Sequence, residues 1–368
     1  MENLYKLEKV IKGIKAPDNE VFMESRKHWD SLAKPLHSLG DLEDIISKIA
    51  SIKGDLDISL EKALLLVYCS DNGVIEEGVS QSDSGVTLKV AKAIAAGNST
   101  VNHLAGEKRI DILAVDVGMK HEAEGEVSDL SSILKGEKAI LKRRIGSGSK
   151  NFLKEPAMTR DECIKALITG IDLVEALKKE GYDILLTGEM GIGNTTTQTA
   201  LTSVLLKKDP EFFTGPGAGL DKEGMKRKLK TIRQGISLYS PDPSDPIDLM
   251  AKLGGFDIAA LCGSFLGAAY YKLPVIIDGV ITLAAALCAK SLAKKSVDYM
   301  IASHKSGVAG IEEIFKELKL KPVIDANMHL GEGGGGVMLI PLLDSALRLY
   351  KSGHYFSELG IEPYIHLN

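Results

Sequence analysis

Five times along this chain of 368 residues, a short apolar run ends in a polar or glycine-bearing turn. Ala63-Leu64-Leu65-Leu66-Val67-Tyr68 leads into Ser70-Asp71-Asn72-Gly73, and Ile110 to Val115 leads into Asp116-Val117-Gly118. Asp183 to Leu186 leads into Thr187-Gly188-Glu189-Met190-Gly191, Pro274 to Ile277 into Asp278-Gly279, and Tyr299 to Ala302 into Ser303-His304. Runs this short and continuous are the pattern of parallel strands covered on both faces. Helical periodicity separates them, over 87–104, 160–179 and 225–238. Strand, turn and helix in alternation predict an α/β fold: a mostly parallel, Rossmann-like sheet with helices on both faces. The large α/β domain is expected over 51–330. The ends read differently, with helices expected over 2–12, 19–39 and from 336 or 337 to 350, so 1–50 with 331–368 are expected to form a small helical domain. Ligands of such sheets bind beyond the carboxyl ends of the strands, where Asp71, Asp116, Glu189, Asp278 and His304 fall.

Composition removes several classes of function. With 44% hydrophobic and 26% charged residues the chain is an ordinary globular one, and the formal net charge of -5 opposes a nucleic-acid or anionic-membrane surface. Lys142-Arg143-Arg144 is read as solvated surface. The four cysteines, Cys69, Cys163, Cys262 and Cys288, form no CxxC pair, so neither a disulfide framework nor a zinc site is expected and the compartment is expected to be reducing. The most apolar region, 258–289, is interrupted by Lys272, Pro274 and Asp278, leaving pieces shorter than the roughly 18 residues of a membrane span. Glu2, Lys6, Glu8, Lys9 and Lys12 break any secretory leader. A soluble, cytoplasmic protein is expected.

Glycine is the compositional outlier, at 37 residues. Gly188-Glu189-Met190-Gly191-Ile192-Gly193-Asn194-Thr195 follows a strand and opens a helix, so its amides suit an anion, but Asn194 stands where a nucleoside-triphosphate loop has lysine. The plainer reading is a strand-to-helix turn; an acid enclosed by glycines favours function. Gly331-Glu332-Gly333-Gly334-Gly335-Gly336 formally contains GxGxxG, yet too little chain follows it for the βα units of a dinucleotide fold. What remains is a backbone that approaches a ligand closely and carries one carboxylate, either an exposed loop acid or a general base. Gly215-Pro216-Gly217 precedes a helix with Lys226, Arg227 and Lys228, and Ser306-Gly307 opens another after His304. His304 is open to a structural or a catalytic role. Hydrolysis by a serine triad lacks its GxSxG elbow, and zinc chemistry lacks ligand spacing. Glycine-rich helix openings with two placed glutamates suggest transfer at a phosphorylated sugar.

From Asp71 to Leu343 these loops, in this order, resemble the nicotinate-nucleotide–dimethylbenzimidazole phosphoribosyltransferases of cobamide (vitamin B12) lower-ligand assembly. The markers are Asp71-Asn72-Gly73-Val74 with Glu77-Gly78-Val79-Ser80, Asp116-Val117-Gly118, 188–196, 217–228, Gly254-Gly255-Phe256-Asp257, Asp278-Gly279, Ser303-His304 and Leu330-Gly331-Glu332-Gly333. The resemblance implies transfer of ribose 5-phosphate from nicotinate mononucleotide to an aromatic base by a homodimer, with no metal or organic cofactor. It implies Glu332 as general base, Glu189 and Gly191 on the nicotinate side, Lys228, Ser306 and Gly307 on the phosphate, and Ser80 by the acceptor; Asp278 joins the substrate-binding set. One segment departs: where the family carries a glutamine near the acceptor, this chain has Leu88 or Lys89. That opens the alternative of a phenol or p-cresol transferase, including one built as a heterodimer of two similar chains. A non-catalytic nucleotide-binding partner subunit is the other alternative, and Glu332 weighs against it. No Asp-x-His-x-x-Gly segment of a cobalamin-binding module is present.

Overall fold

The computed structural model describes residues 2–106, 110–217 and 219–364. Each of the five apolar runs forms a strand: β1 (Ala63–Ser70), β2 (Ile110–Gly118), β4 (Ile184–Met190), β5 (Val275–Ile277) and β6 (Met300–Ala302), with a short β3 (Leu141–Lys142) at the edge. All pair in parallel, in the order β3-β2-β1-β4-β5-β6. This is the doubly wound order, in which the chain builds outward from β1 in one direction and from β4 in the other. A second, two-stranded parallel ribbon pairs β7 (His304–Ser306) with β8 (Ile324–Met328). Sequence reading did not find the ribbon, because β8 is too polar and exposed to show an apolar run.

Side chains alternate across β1 and split the interior in two. Leu64, Leu66 and Tyr68 face one core with the helices Arg160–Lys179 and Phe256–Tyr271. Those helices touch backbone to backbone: a Cβ on Gly170 would lie 2.1 Å from the Ala260 carbonyl oxygen, and one on Gly263 2.0 Å from that of Leu167. Leu65, Val67 and Cys69 face the other core, which they share with Trp29, Ile46, Ile49, Val337 and Leu343 from the two ends of the chain. The first helix, Glu2–Gly13, packs on the opposite face, burying Leu7 and Val10 and pairing Lys6 with Asp172 at 2.6 Å.

Two helical expectations change. The 87–104 pattern is two helices, Gly85–Ala96 and Thr100–Ala105, because Gly97 turns left-handed (φ 83°) and Ser99 forms a capping box with Asn102. The 19–39 pattern ends at Ser31, ahead of Pro35, and a further helix runs over Asp41–Lys53. Among the described residues no helix is long and apolar enough to cross a membrane.

Candidate active site

The strand order reverses between β1 and β4, and the crevice beyond their carboxyl ends is where a doubly wound sheet takes its ligand. Ser70–Gly73 lines it from β1 and Glu189–Gly193 from β4. The glycine-rich loop 331–336 lies directly over it. A Cβ on Gly188 would sit 2.7 Å from the Glu332 carbonyl oxygen, and one on Gly333 2.3 Å from Leu65 Cδ1. Three successive residues of this loop, Gly331, Glu332 and Gly333, are left-handed, with φ of 82°, 57° and 89°. For the glutamate that conformation costs about 1–2 kcal/mol.

Glu332 Oε2 accepts from the Val101 amide at 3.4 Å, and Ser99 also bonds the carboxylate. Burial lifts its pKa above the ordinary carboxylate value, against those two bonds. Across the crevice stands Glu189; an added Cβ on Gly331 would be 3.2 Å from its Oε1. The Asn194 amide donates both to Glu189 and, at 3.0 Å, to Asp257 Oδ2. Burial, with Asp257 next, pushes Glu189 up to about 8, and burial pushes Asp257 up to about 6. Gly191 is wedged between the Ser70 carbonyl and Asp257, where a Cβ would lie 2.5 Å from the Ser70 carbonyl oxygen and 2.6 Å from Asp257 Oδ2. Asp278, at the end of β5, accepts from the Gly333 amide (3.1 Å) and the Gly335 amide (2.7 Å), and burial pushes it up to about 7. His304 lies beneath the same loop, its Nδ1 3.0 Å from Ser303 Oγ; burial lowers its pKa, so the ring is neutral near pH 7.

The other end of the crevice has the opposite character. Lys228 is buried and, among the described residues, has no carboxylate partner; it donates to Thr195 Oγ1 at 2.8 Å and the Gly215 carbonyl at 3.0 Å, and burial lowers its pKa to about 8. Thr195 belongs to the first turn of the helix Asn194–Leu206, where unpaired amides favour an anion. Among the described residues Ser306 Oγ and Thr196 Oγ1 are buried without a hydrogen-bond partner. Gly215 stands 3.6 Å from Val308 by its would-be Cβ, so the loop before Lys228 meets the loop after Ser306. Gly307 is pressed on Asn327, 2.1 Å from Oδ1 by the same measure.

On the acceptor side, Ser80 is half-buried and exchanges hydrogen bonds with Ser82 (3.0 and 3.1 Å). Thr87 ties the helix Gly85–Ala96 to both strand ends, donating to Asp71 Oδ1 at 2.6 Å and accepting from the Ile192 amide at 3.3 Å. Leu88 is half-buried and packs on the second core. Lys89 is exposed, about 200° around the helix from Thr87, and is not brought to the crevice. Sequence reading assigned no role to Asp257, Thr87 or Ser99. Asp257 lies within the Gly254–Asp257 segment of the resemblance, while nothing in local spacing separates Thr87 from an ordinary helix residue or Ser99 from an ordinary N-cap.

A basic, amide-rich pocket at one end of a switch-point crevice and a set of buried acids at the other define a transferase that works on a phosphorylated sugar. Comparison with known proteins narrows the class. A sequence model of the phosphoribosyltransferase family matches residues 14–361. A nicotinate-nucleotide–dimethylbenzimidazole phosphoribosyltransferase of Ruminiclostridium cellulolyticum is 41% identical over 357 residues, covering 97% of this chain and 98% of its own. One of the same name from Clostridium acetobutylicum is 39% identical over 358 residues, with the same coverage of 97% and 98%. The crystal structure of CobT from Thermus thermophilus superposes with a TM-score of 0.84 at 33% identity, over 94% of this chain and 100% of that one. The chain belongs to the nicotinate-nucleotide–dimethylbenzimidazole phosphoribosyltransferase family.

Proposed function

We propose that this protein transfers ribose 5-phosphate from nicotinate mononucleotide to 5,6-dimethylbenzimidazole or a related base, giving an α-ribazole-type phosphate and nicotinate for cobamide synthesis. The observation that carries the reading is the placement of Glu332 and Glu189 on facing loops of one crevice whose far end holds a buried lysine with no carboxylate partner among the described residues. In this reading the phosphate takes the remaining donor capacity of Lys228, with Ser306 Oγ, Thr196 Oγ1 and the Gly307 amide beside it. Anchoring the phosphate fixes the ribose, and orientation of that kind supplies several kcal/mol of a barrier.

The bond from C1′ to the pyridinium nitrogen then breaks, and nicotinate leaves with the electron pair as a neutral ring bearing its carboxylate. The leaving group therefore needs no acid. The sugar passes through an oxocarbenium-like state. Glu189 faces it, held protonated at neutral pH until a cationic neighbour favours its charged form. The acceptor's unprotonated ring nitrogen gives its lone pair to C1′, and the N–H on its other ring nitrogen gives its proton to Glu332. Burial raises the affinity of Glu332 for that proton, which suits a base working near neutrality.

Ser80 and Leu88 border the acceptor in this reading, and Leu88 offers an apolar contact in place of an amide. That surface suits benzimidazoles and also phenols. We place the enzyme in the cytoplasm, a reading supported by four buried, unbridged cysteines. We further propose a dimer, of identical chains or with a similar second chain. Its support is that Met338 and Leu342 are 41% and 40% exposed one turn apart on the helix that begins at the site. The test is incubation of purified chain with nicotinate mononucleotide and a panel of benzimidazoles, purines and phenols, with products read by mass spectrometry. Release of nicotinate together with a base-linked ribose phosphate is expected; intact mononucleotide with every acceptor would overturn the reading.

A further inference from the structure

Asp278 lies at the carboxyl end of β5, a position from which a carboxylate would ordinarily meet substrate. Its two oxygens are instead both engaged by protein backbone: Oδ2 by the Gly333 amide at 3.1 Å and Oδ1 by the Gly335 amide at 2.7 Å. Those amides belong to the first turn of the helix Gly334–Ser352 and to the residue before it. Glu332, directly ahead of Gly333, is the one non-glycine residue in a left-handed run of three. The carboxylate is itself buried, and the strand holding it is part of the central sheet, so it is a rigid anchor. Gly335 is clamped from below as well, since a Cβ there would meet His304 Nδ1 at 2.0 Å and Ser303 Oγ at 2.6 Å.

We infer that Asp278 is a positioning residue: by gripping the amides of Gly333 and Gly335 it holds Glu332 in its left-handed conformation and aims the carboxylate at the acceptor. Resting on the reading of Glu332 as the base, this gives Asp278 no contact with either substrate. The anchor acts on two amides at once, one on each side of Gly334, and so fixes the direction in which the loop leaves the helix. Asparagine at 278 keeps the shape but accepts from only one of the two amides, presenting its own N–H groups to the other. The loop is then free to relax, and Glu332 follows it.

The experiment is a double-mutant cycle between D278N and E332Q, read as kcat and as KM for nicotinate mononucleotide. Alone, D278N is expected to lower kcat about 10- to 100-fold, the scale of a misplaced catalytic group, with KM changed less than about twofold. In the E332Q background it should cost almost nothing further, because the group it positions is already gone. A loss that multiplies onto that of E332Q, or a loss carried by KM, would show that Asp278 acts on substrate and overturn the inference. A second arm needs no turnover and so stands apart from the proposed activity. Glycine adopts the left-handed region without strain, so D278N should lower the melting temperature less in an E332G background than in the parent, and D278N/E332G should fold even if D278N does not. An equal loss in both backgrounds, or failure of the double variant to fold, would overturn it.

Discussion

The two ends of the crevice are built from opposite kinds of electrostatic debt. At one end Lys228 is buried among neutral acceptors, Thr195 Oγ1 and the Gly215 carbonyl, and its pKa falls to about 8. At the other, Glu189, Asp257 and Asp278 crowd together under burial, and Glu189 rises to about 8. Neither end is arranged for stability, since a buried charge without an opposite partner is expensive. A nucleotide with a phosphate at one end and a cationic ring at the other relieves both at once. In the proposed reading the donor lies along that contrast, and the reading can be attacked from either end.

The heaviest blow falls on the proposed base. Glu332→Gln should lower turnover at least about 100-fold, the usual scale for losing a general base, while calorimetric affinity for nicotinate mononucleotide stays close to that of the parent. Turnover like the parent's would remove Glu332 from the chemistry. At the basic end, Lys228→Met should weaken that affinity by about 10- to 150-fold, since a charge-assisted contact is worth roughly 1.5–3 kcal/mol. The same change should leave the free protein as stable as the parent or more so, because methionine fills the volume without a buried charge. Weaker binding together with a lower melting temperature would mean that Lys228 is a structural tie and not an anion receptor.

A finer probe sets the two ends against each other through pH. Glu189 holds its proton more tightly in the folded chain, so between about 4.5 and 8 the native state binds more protons than the unfolded one and stability falls as pH rises. Lys228 releases its proton more readily when folded, so from about 8 to 10.5 the native state binds fewer protons and stability rises with pH. Glu189→Gln should make the fall in melting temperature shallower, most clearly from about 7 to 8, since Asp257 and Asp278 share the window below that. Lys228→Met should remove part of the rise above about 8, a window that Lys48 shares. Each variant leaving its own window unaltered would break the assignment of opposite debts.

Much of this architecture was legible in the chain. Continuous apolar runs ending in glycine and acid identify five strands and the side of the sheet on which the site lies, because parallel strands buried on both faces leave no other pattern. Glu189 and Glu332 stood out as single acids enclosed by glycines. The parts that escaped notice depend on distant pairing. Asp257 gains its meaning only through Asn194, which is 63 residues away and donates to it and to Glu189. Asp278 likewise grips a loop 55 residues further on. The left-handed conformation of Glu332 has no signature in its own side chain; only the glycines on both sides hint at it. Lys89 shows the converse, since a match in the sequence pattern does not tell which way a helix turns, and Thr87 fixes that by facing Asp71.

The smallest expected effect concerns that helix. Thr87 bonds Asp71 and Lys89 is exposed, so in the proposed reading Leu88, half-buried against the second core, is the position that borders the acceptor. A benzimidazole presents one ring nitrogen to C1′ and an N–H to the base, whereas a phenol has only its hydroxyl. A leucine contributes area but no hydrogen bond, and so it discriminates weakly between them. The parent should therefore turn over benzimidazoles with detectable turnover of phenol or p-cresol. Leu88→Gln should shift the ratio of kcat/KM towards benzimidazole by about 1–2 kcal/mol, one neutral hydrogen bond, while Lys89→Gln should leave the ratio where it was. The comparison is made on the same acceptor panel in competition, where a ratio is insensitive to the active fraction. A shift from the exposed position and none from Leu88 would mean that the helix presents a different face once the acceptor is bound.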